Sequence, residues 1–179
     1  AVRSANMDLR QVLIHFIDQL HDNFARALED LSPEEWRHRP DEETNHIGFT
    51  AWHWVRTEDN VVNFILQRRN TVWLELGLDQ KWQLPKAAQG TGMAHDEAHA
   101  LLVPPPAEFL PYARAVWQGT APYYAGLTAA EFARIVRVMP FGEIPVAQAI
   151  AQTVVVHGNQ HLGEVWLTRE LLGKTGQGM

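Results

Sequence analysis

The chain has 179 residues, enough for one domain with a substantial core. It carries 15 Lys and Arg against 21 Asp and Glu, a net charge of −6 with histidines neutral, which argues against nucleic acid as a major partner. The absence of cysteine excludes disulfides, thiolate metal sites and a cysteine nucleophile, and no apolar run approaches the ~20 residues needed to span a bilayer.

No secretory leader stands out, so a cytoplasmic protein without a membrane partner is expected. Residues 1–6 lack pattern and Met7 reads as the natural start. Asp8 is placed to cap a first helix reaching about Leu31. Its stripe is Leu9, Leu13, Phe16, Ile17, Leu20, Phe24 and Leu28, with His15 and His21 read as surface or rim residues. Ser32-Pro33-Glu34-Glu35 is a capping box that opens a short turn, ended at Arg39-Pro40.

Asn45 is expected to cap a second helix over residues 46–69, with Phe49, Trp52, His53, Val61, Phe64 and Ile65 near one side. A lone histidine on that face is either a satisfied core residue or a ligand. Residues 71–77 read as a short helical turn, 79–92 as loop, and 97–103 as a helical piece stopped by Pro104-Pro105-Pro106. A third helix follows over 107–127, with a kink or break expected at Pro122. Thr128-Ala-Ala-Glu131 opens another turn, and β-branched residues over 135–141 suggest an extended pair around Pro140-Phe-Gly142. Pro145 begins the last helix, which runs to about Leu172 and ends at Gly173.

Four long helices with substantial links predict an all-α four-helix bundle with short extra helices in the connections. One domain over residues 7–173 is expected, with 1–6 and 174–179 frayed. The last helix carries His157 and His161, four residues apart on one face and ~6 Å apart along the axis, so both imidazoles can reach one ion. On a buried face they need either a shared metal or ordinary hydrogen bonds. Glu164 shares that face and can orient a ligand, accept a proton, coordinate directly, or pair with an arginine.

Other histidines compete. His46 lies ~10.5 Å from His53 along the helix, too far to share an ion with it, and reads as a helix-start or pocket-mouth residue. His95 and His99 also have i, i+4 spacing, but lie in a short piece between glycines and prolines and read as solvated surface. Glu58 and Asp59 read as helix–helix polar contacts. The tryptophans read as core first, although Trp52, Trp54, Trp117 and Trp166 are also candidates to line a pocket.

Arg39-Pro40, Asn45, Ile47-Gly48, Trp52-His53 and Glu58-Asp59, followed by His157-x-x-x-His161-x-Gly163-Glu164, resemble the DinB-like (YfiT-like) metal-binding four-helix bundles. The resemblance covers almost the whole chain. It implies that family's bundle and a divalent metal on His53, His157 and His161, with zinc expected and nickel or iron also suited to imidazole. It also implies a thiol-dependent transferase or isomerase and a homodimer. With no cysteine in the chain, a low-molecular-weight thiol has to arrive as cosubstrate beside a small-molecule substrate. The expected function is therefore a metal-dependent thiol transferase, with Glu164 as candidate catalytic group. The alternatives are a hydrolase using metal-bound hydroxide and a non-catalytic protein that holds a small ligand or metal.

Overall fold

The computed structural model describes residues 8–176, so segment 1–6, Met7 and residues 177–179 lie outside the described residues. Helix α1 (Leu9–Leu28) opens on a reciprocal cap. The Asp8 carboxylate accepts from the Gln11 N–H, and the Gln11 side chain accepts from the Asp8 N–H. The Ser32–Glu35 capping box opens the turn α2 (Pro33–Trp36). Helix α3 (Ile47–Glu58) continues without a break into a π-helical segment, Asp59–Leu66.

The long connection holds α4 (Val72–Glu75), α5 (Leu78–Lys81) and α6 (His95–Ala100), then α7 (Pro106–Ala125) crosses the molecule. After α8 (Ala129–Ala133) come two antiparallel strands, β1 (Ile135–Val138) and β2 (Gly142–Pro145), with Val138 opposite Gly142. The last rod is α9 (Val146–Ile150), a second π segment (Ala151–Val156) and α10 (His157–Leu171).

Helix α1 packs against α7 and α10, and α3 packs against the same two, which closes a four-helix bundle. The core is aromatic: Trp36, Trp52, Trp54, Trp73, Phe24 and Phe109 are fully buried. Close approach at one corner depends on Gly158, because a Cβ there would lie 2.5 Å from Trp54 Nε1 and 2.6 Å from Leu20 Cδ2. Trp54 Nε1 in turn donates to the Val154 carbonyl at 3.2 Å, tying α3 to the last rod. Among the described residues, no helix is long and apolar enough to cross a membrane.

Several local expectations change. The second rod ends at Leu66 and not Arg69, and Phe64, expected inside, is 55% exposed. Its π turns advance the side chains more slowly around the axis than an α-helix does, so Val61, Val62 and Leu66 take the buried positions. Helix α7 runs through both Pro111 and Pro122. Pro122 lies within a turn of the helix end, so the hydrogen bond it removes does not break the rod. Part of the expected loop 79–92 is the helical turn α5, anchored by buried Leu78. Lys174, expected to fray, is held by ion pairs to Asp30 and Glu35 at 3.4 and 3.3 Å.

His21, expected at the rim, is buried against Trp117 and bonded through Nε2 to a Glu58 carboxylate oxygen at 2.9 Å. Glu58 also accepts from the Thr120 and Tyr124 hydroxyls at 3.0 and 2.9 Å, so one buried carboxylate joins α1, α3 and α7. Glu58 and Asp59 thus make the interhelical polar contacts expected of them.

The cap of α3 is His46, not Asn45. His46 Nδ1 accepts from the Phe49 N–H at 3.0 Å, and the ring is 3% exposed. Burial, reinforced by Arg37, His99 and Arg39, pushes its pKa down to about 4. The neutral ring is the form that folds, so the unfolded chain takes up a proton first on acidification. The stability that His46 contributes is present above pH ~6.5 and is lost as the pH falls to about 4, a change on the order of 1–3 kcal/mol. His46→Asn keeps a capping acceptor without the titration. Urea melts across this range should show a shallower acid loss for the variant than for the wild type; identical profiles would remove His46 as a source of the acid sensitivity.

Candidate metal centre

Helix α3 turns His53 toward the last rod, where His157 and His161 stand one turn apart at the start of α10. Their Nε2 atoms meet: His53 to His157 is 3.0 Å and His157 to His161 is 2.9 Å. One ligand nitrogen from each of the three lies within 4.8 Å of the others, and this is the one such group of potential metal ligands among the described residues.

The other side of each ring explains the convergence. His53 Nδ1 faces the Gln89 carbonyl at 2.5 Å, His157 Nδ1 the Thr153 carbonyl at 3.3 Å, and His161 Nδ1 a Glu164 carboxylate oxygen at 2.8 Å. All three partners can only accept, so each Nδ1 carries the proton and donates it. In the neutral rings each Nε2 then presents a lone pair to the same point. A ring that turned its Nε2 into a donor would set a bare Nδ1 against an acceptor. Three converging lone pairs are repulsive by themselves, and the set is of the kind that suits a divalent cation.

Burial favours the uncharged rings. It holds the pKa of His157 down to about 4, with His161 and His53 adding to the effect, and it lowers that of His53 against an opposing pull from Gln89. An arriving ion therefore displaces few protons at neutral pH.

Gly90 is what lets the loop reach His53. Its φ is +96°, and a Cβ there would lie 2.9 Å from Phe49 Cζ and 3.1 Å from His53 Nδ1. Sequence reasoning read this loop as a connection and missed Gln89. Sequence reasoning also missed Thr153, and only its place four residues before His157 could have drawn attention to it. The Gly90-Thr91-Gly92 run was the available signal for the loop.

Glu164 stands on the Nδ1 side of His161, away from the convergent nitrogens, and its bond to His161 holds its own pKa below the usual value. This geometry makes it a positioning residue for the His161 ring. It forms no pair with an arginine among the described residues.

The rival histidines lie elsewhere. His46 caps α3. His99 is engaged by Arg39 and by the Thr44 carbonyl at 2.9 Å. His95 lies beside the centre at the wall of a cavity without joining the convergent group. Trp52 and Trp54 are fully buried core residues, and among the described residues no tryptophan lines the cavities at the triad.

Two cavities open on this group of rings, the smaller on all three and the larger on His53 and His157. One of about 540 Å³ has Asn45, His95, Gln160, His161 and Glu164 among its lining residues. The other, about 670 Å³, is walled by Val61, Ile65, Val156 and the hairpin tip Met139–Phe141. His53, Thr91, His157 and Gln160 line both.

A family model described as the DinB superfamily matches residues 16–165. A crystal structure of a conserved protein from Enterococcus faecalis is similar with a TM-score of 0.76 at 20% identity, covering 94% of this chain and 99% of that one, a likeness that bears on the fold. No curated protein matches the chain.

Proposed function

This chain belongs to the DinB superfamily, and from that premise we propose that it is a metal-dependent transferase acting on a low-molecular-weight thiol and a second small molecule. The observation that carries this reading is the pair of unlike cavities sharing His53 and His157, which suits a reaction between two substrates at one centre. Hydrolysis by activated water needs a place for one.

His53, His157 and His161 would hold the ion, zinc in the first instance, with nickel or iron compatible with imidazole. A divalent cation there supplies a positive centre that favours a thiolate over its thiol near neutral pH. Gln89, Thr153 and Glu164 keep the three Nε2 lone pairs turned inward. Asn45, Gln160 and His95 offer polar contacts to a polar thiol in the smaller cavity, and the apolar wall of the larger one receives the electrophile. In the transfer, the thiolate sulfur bonds to the electrophilic carbon, the leaving group departs with its electron pair, and the thiol proton passes to water.

Cobalt-substituted protein provides the test, because thiolate is a soft ligand that alters the cobalt spectrum. Adding 2-mercaptoethanol should produce a saturable change in absorption. A spectrum indifferent to thiol would overturn the transferase reading and leave the three-histidine centre standing. Turnover of an ester without thiol would favour hydrolysis in its place.

A further inference from the structure

We propose that the larger cavity selects an anion: its ligand is a small molecule with an apolar body and a carboxylate, the carboxylate being held by Arg68 and Arg137. This names the substrate class of the centre described above and rests on the reading of that centre as a reaction site.

The first observation is charge. Among the described residues the cavity lining includes two arginines and no aspartate or glutamate, on a chain whose net charge is −6. Among the described residues, neither Arg68 nor Arg137 makes a side-chain hydrogen bond or ion pair. Glu143 sits opposite Arg137 in the β-ladder without forming an ion pair with it. By contrast Arg134, the residue just before β1, is committed to Glu131 at 2.7 Å and to the Leu66 carbonyl. Two uncommitted guanidinium groups beside an apolar wall match a carboxylate on an apolar body, since the planar fork of arginine suits a planar oxyanion.

The second observation is backbone. The rod containing α3 closes with the Arg69 N–H bonded to the Asn63 carbonyl at 2.9 Å and the Arg68 N–H to the Phe64 carbonyl at 3.2 Å. This pairing places Arg68 at the left-handed position of the helix end, with φ 59°, where glycine is the residue ordinarily found. An exposed arginine held in a conformation that disfavours side chains, at the lining of a cavity beside a candidate reaction centre, is accounted for by what its side chain does there.

The test uses the metal-loaded full chain, titrated calorimetrically with 4-phenylbutyrate and with its uncharged amide. The acid should bind ~tenfold or more tightly than the amide. In the Arg68→Gly, Arg137→Gln double variant the two should come within ~twofold, with metal content unchanged. Arg68→Gly alone should weaken the acid preference yet melt no lower than the wild type, because glycine suits that position. Equal binding of acid and amide by the wild type, or no binding of either, would overturn the proposal. So would an acid preference that survives the double variant, which would place the carboxylate on the ion. A thiol-insensitive cobalt spectrum alongside an arginine-dependent preference would sink the transferase reading alone. The reverse pair of results would sink the anion pocket alone.

Discussion

Replacing His157 or His161 with alanine is expected to abolish stoichiometric metal binding while the bundle remains folded. The three Nε2 atoms form one donor set, and each variant leaves two imidazoles where a tetrahedral ion needs three protein ligands and an open position. The loss should exceed the ~10–100-fold that removal of an outer hydrogen-bond partner causes. Glu164→Gln therefore serves as an internal comparison, because Glu164 touches only Nδ1 of His161 and its loss should fall within that smaller range. Neither His157 nor His161 belongs to the aromatic core, so circular dichroism should change little. Metal analysis of protein purified without an immobilised-metal column provides the readout. His99→Ala should leave metal content unchanged, because His99 is occupied by Arg39 and Thr44. Metal retained at wild-type affinity in His157→Ala would remove the centre from this site.

The helices and the pair on α10 were legible because both depend on local periodicity. Asp8, Ser32 and Thr128 announce helix starts through side chains that bond three residues on, and His157 and His161 share a face by spacing alone. His53 was legible as a candidate because it interrupts an aromatic face, but spacing could not choose between core residue and ligand; the convergence with His157 comes from the tertiary fold. The π segments were not legible. The β-branched runs in Asp59–Leu66 and Ala151–Val156 do not mark a π turn by themselves, and the extra residue per turn shows only as a phase error at Phe64. His21 was misread for a related reason: its partner, Glu58, is 37 residues away, and a buried carboxylate recruits a donor from wherever the bundle brings one near. The carbonyls of Gln89 and Thr153 carry no side-chain signature, so only the glycine run beside Gln89 and the spacing of Thr153 from His157 pointed toward the groups that orient those two rings.

The other large effect expected is on stability. Asp59→Ala should lower the unfolding free energy by ~3–5 kcal/mol, the cost typical of removing one partner from a buried charged network. Asp59 is fully buried and accepts from the Val72 and Trp73 N–H groups and the Asn63 amide, each at 2.9 Å, and from the Tyr112 hydroxyl at 3.1 Å. The two backbone donors are the first N–H groups of α4, a helix of four residues that has few other means of holding its start in place. Arg56 Nη1 lies 3.9 Å from the same carboxylate and its guanidinium lies over the Trp73 ring, so alanine at position 59 also strands a buried cation. Burial and the neighbouring carboxylate raise the Tyr112 pKa well above its ordinary value, so the hydroxyl remains a donor at any pH at which the fold is studied. Tyr112→Phe removes one donor from a carboxylate that keeps three others, and should cost only ~1 kcal/mol. Because the Tyr112 hydroxyl loses its acceptor when Asp59 is gone, the double variant should be less damaged than the sum of the singles. Urea unfolding of the two singles and the double measures this directly. A loss under ~1 kcal/mol for Asp59→Ala would mean that water or a rearranged Arg56 replaces the carboxylate, and that α4 is held by packing of Trp73 instead.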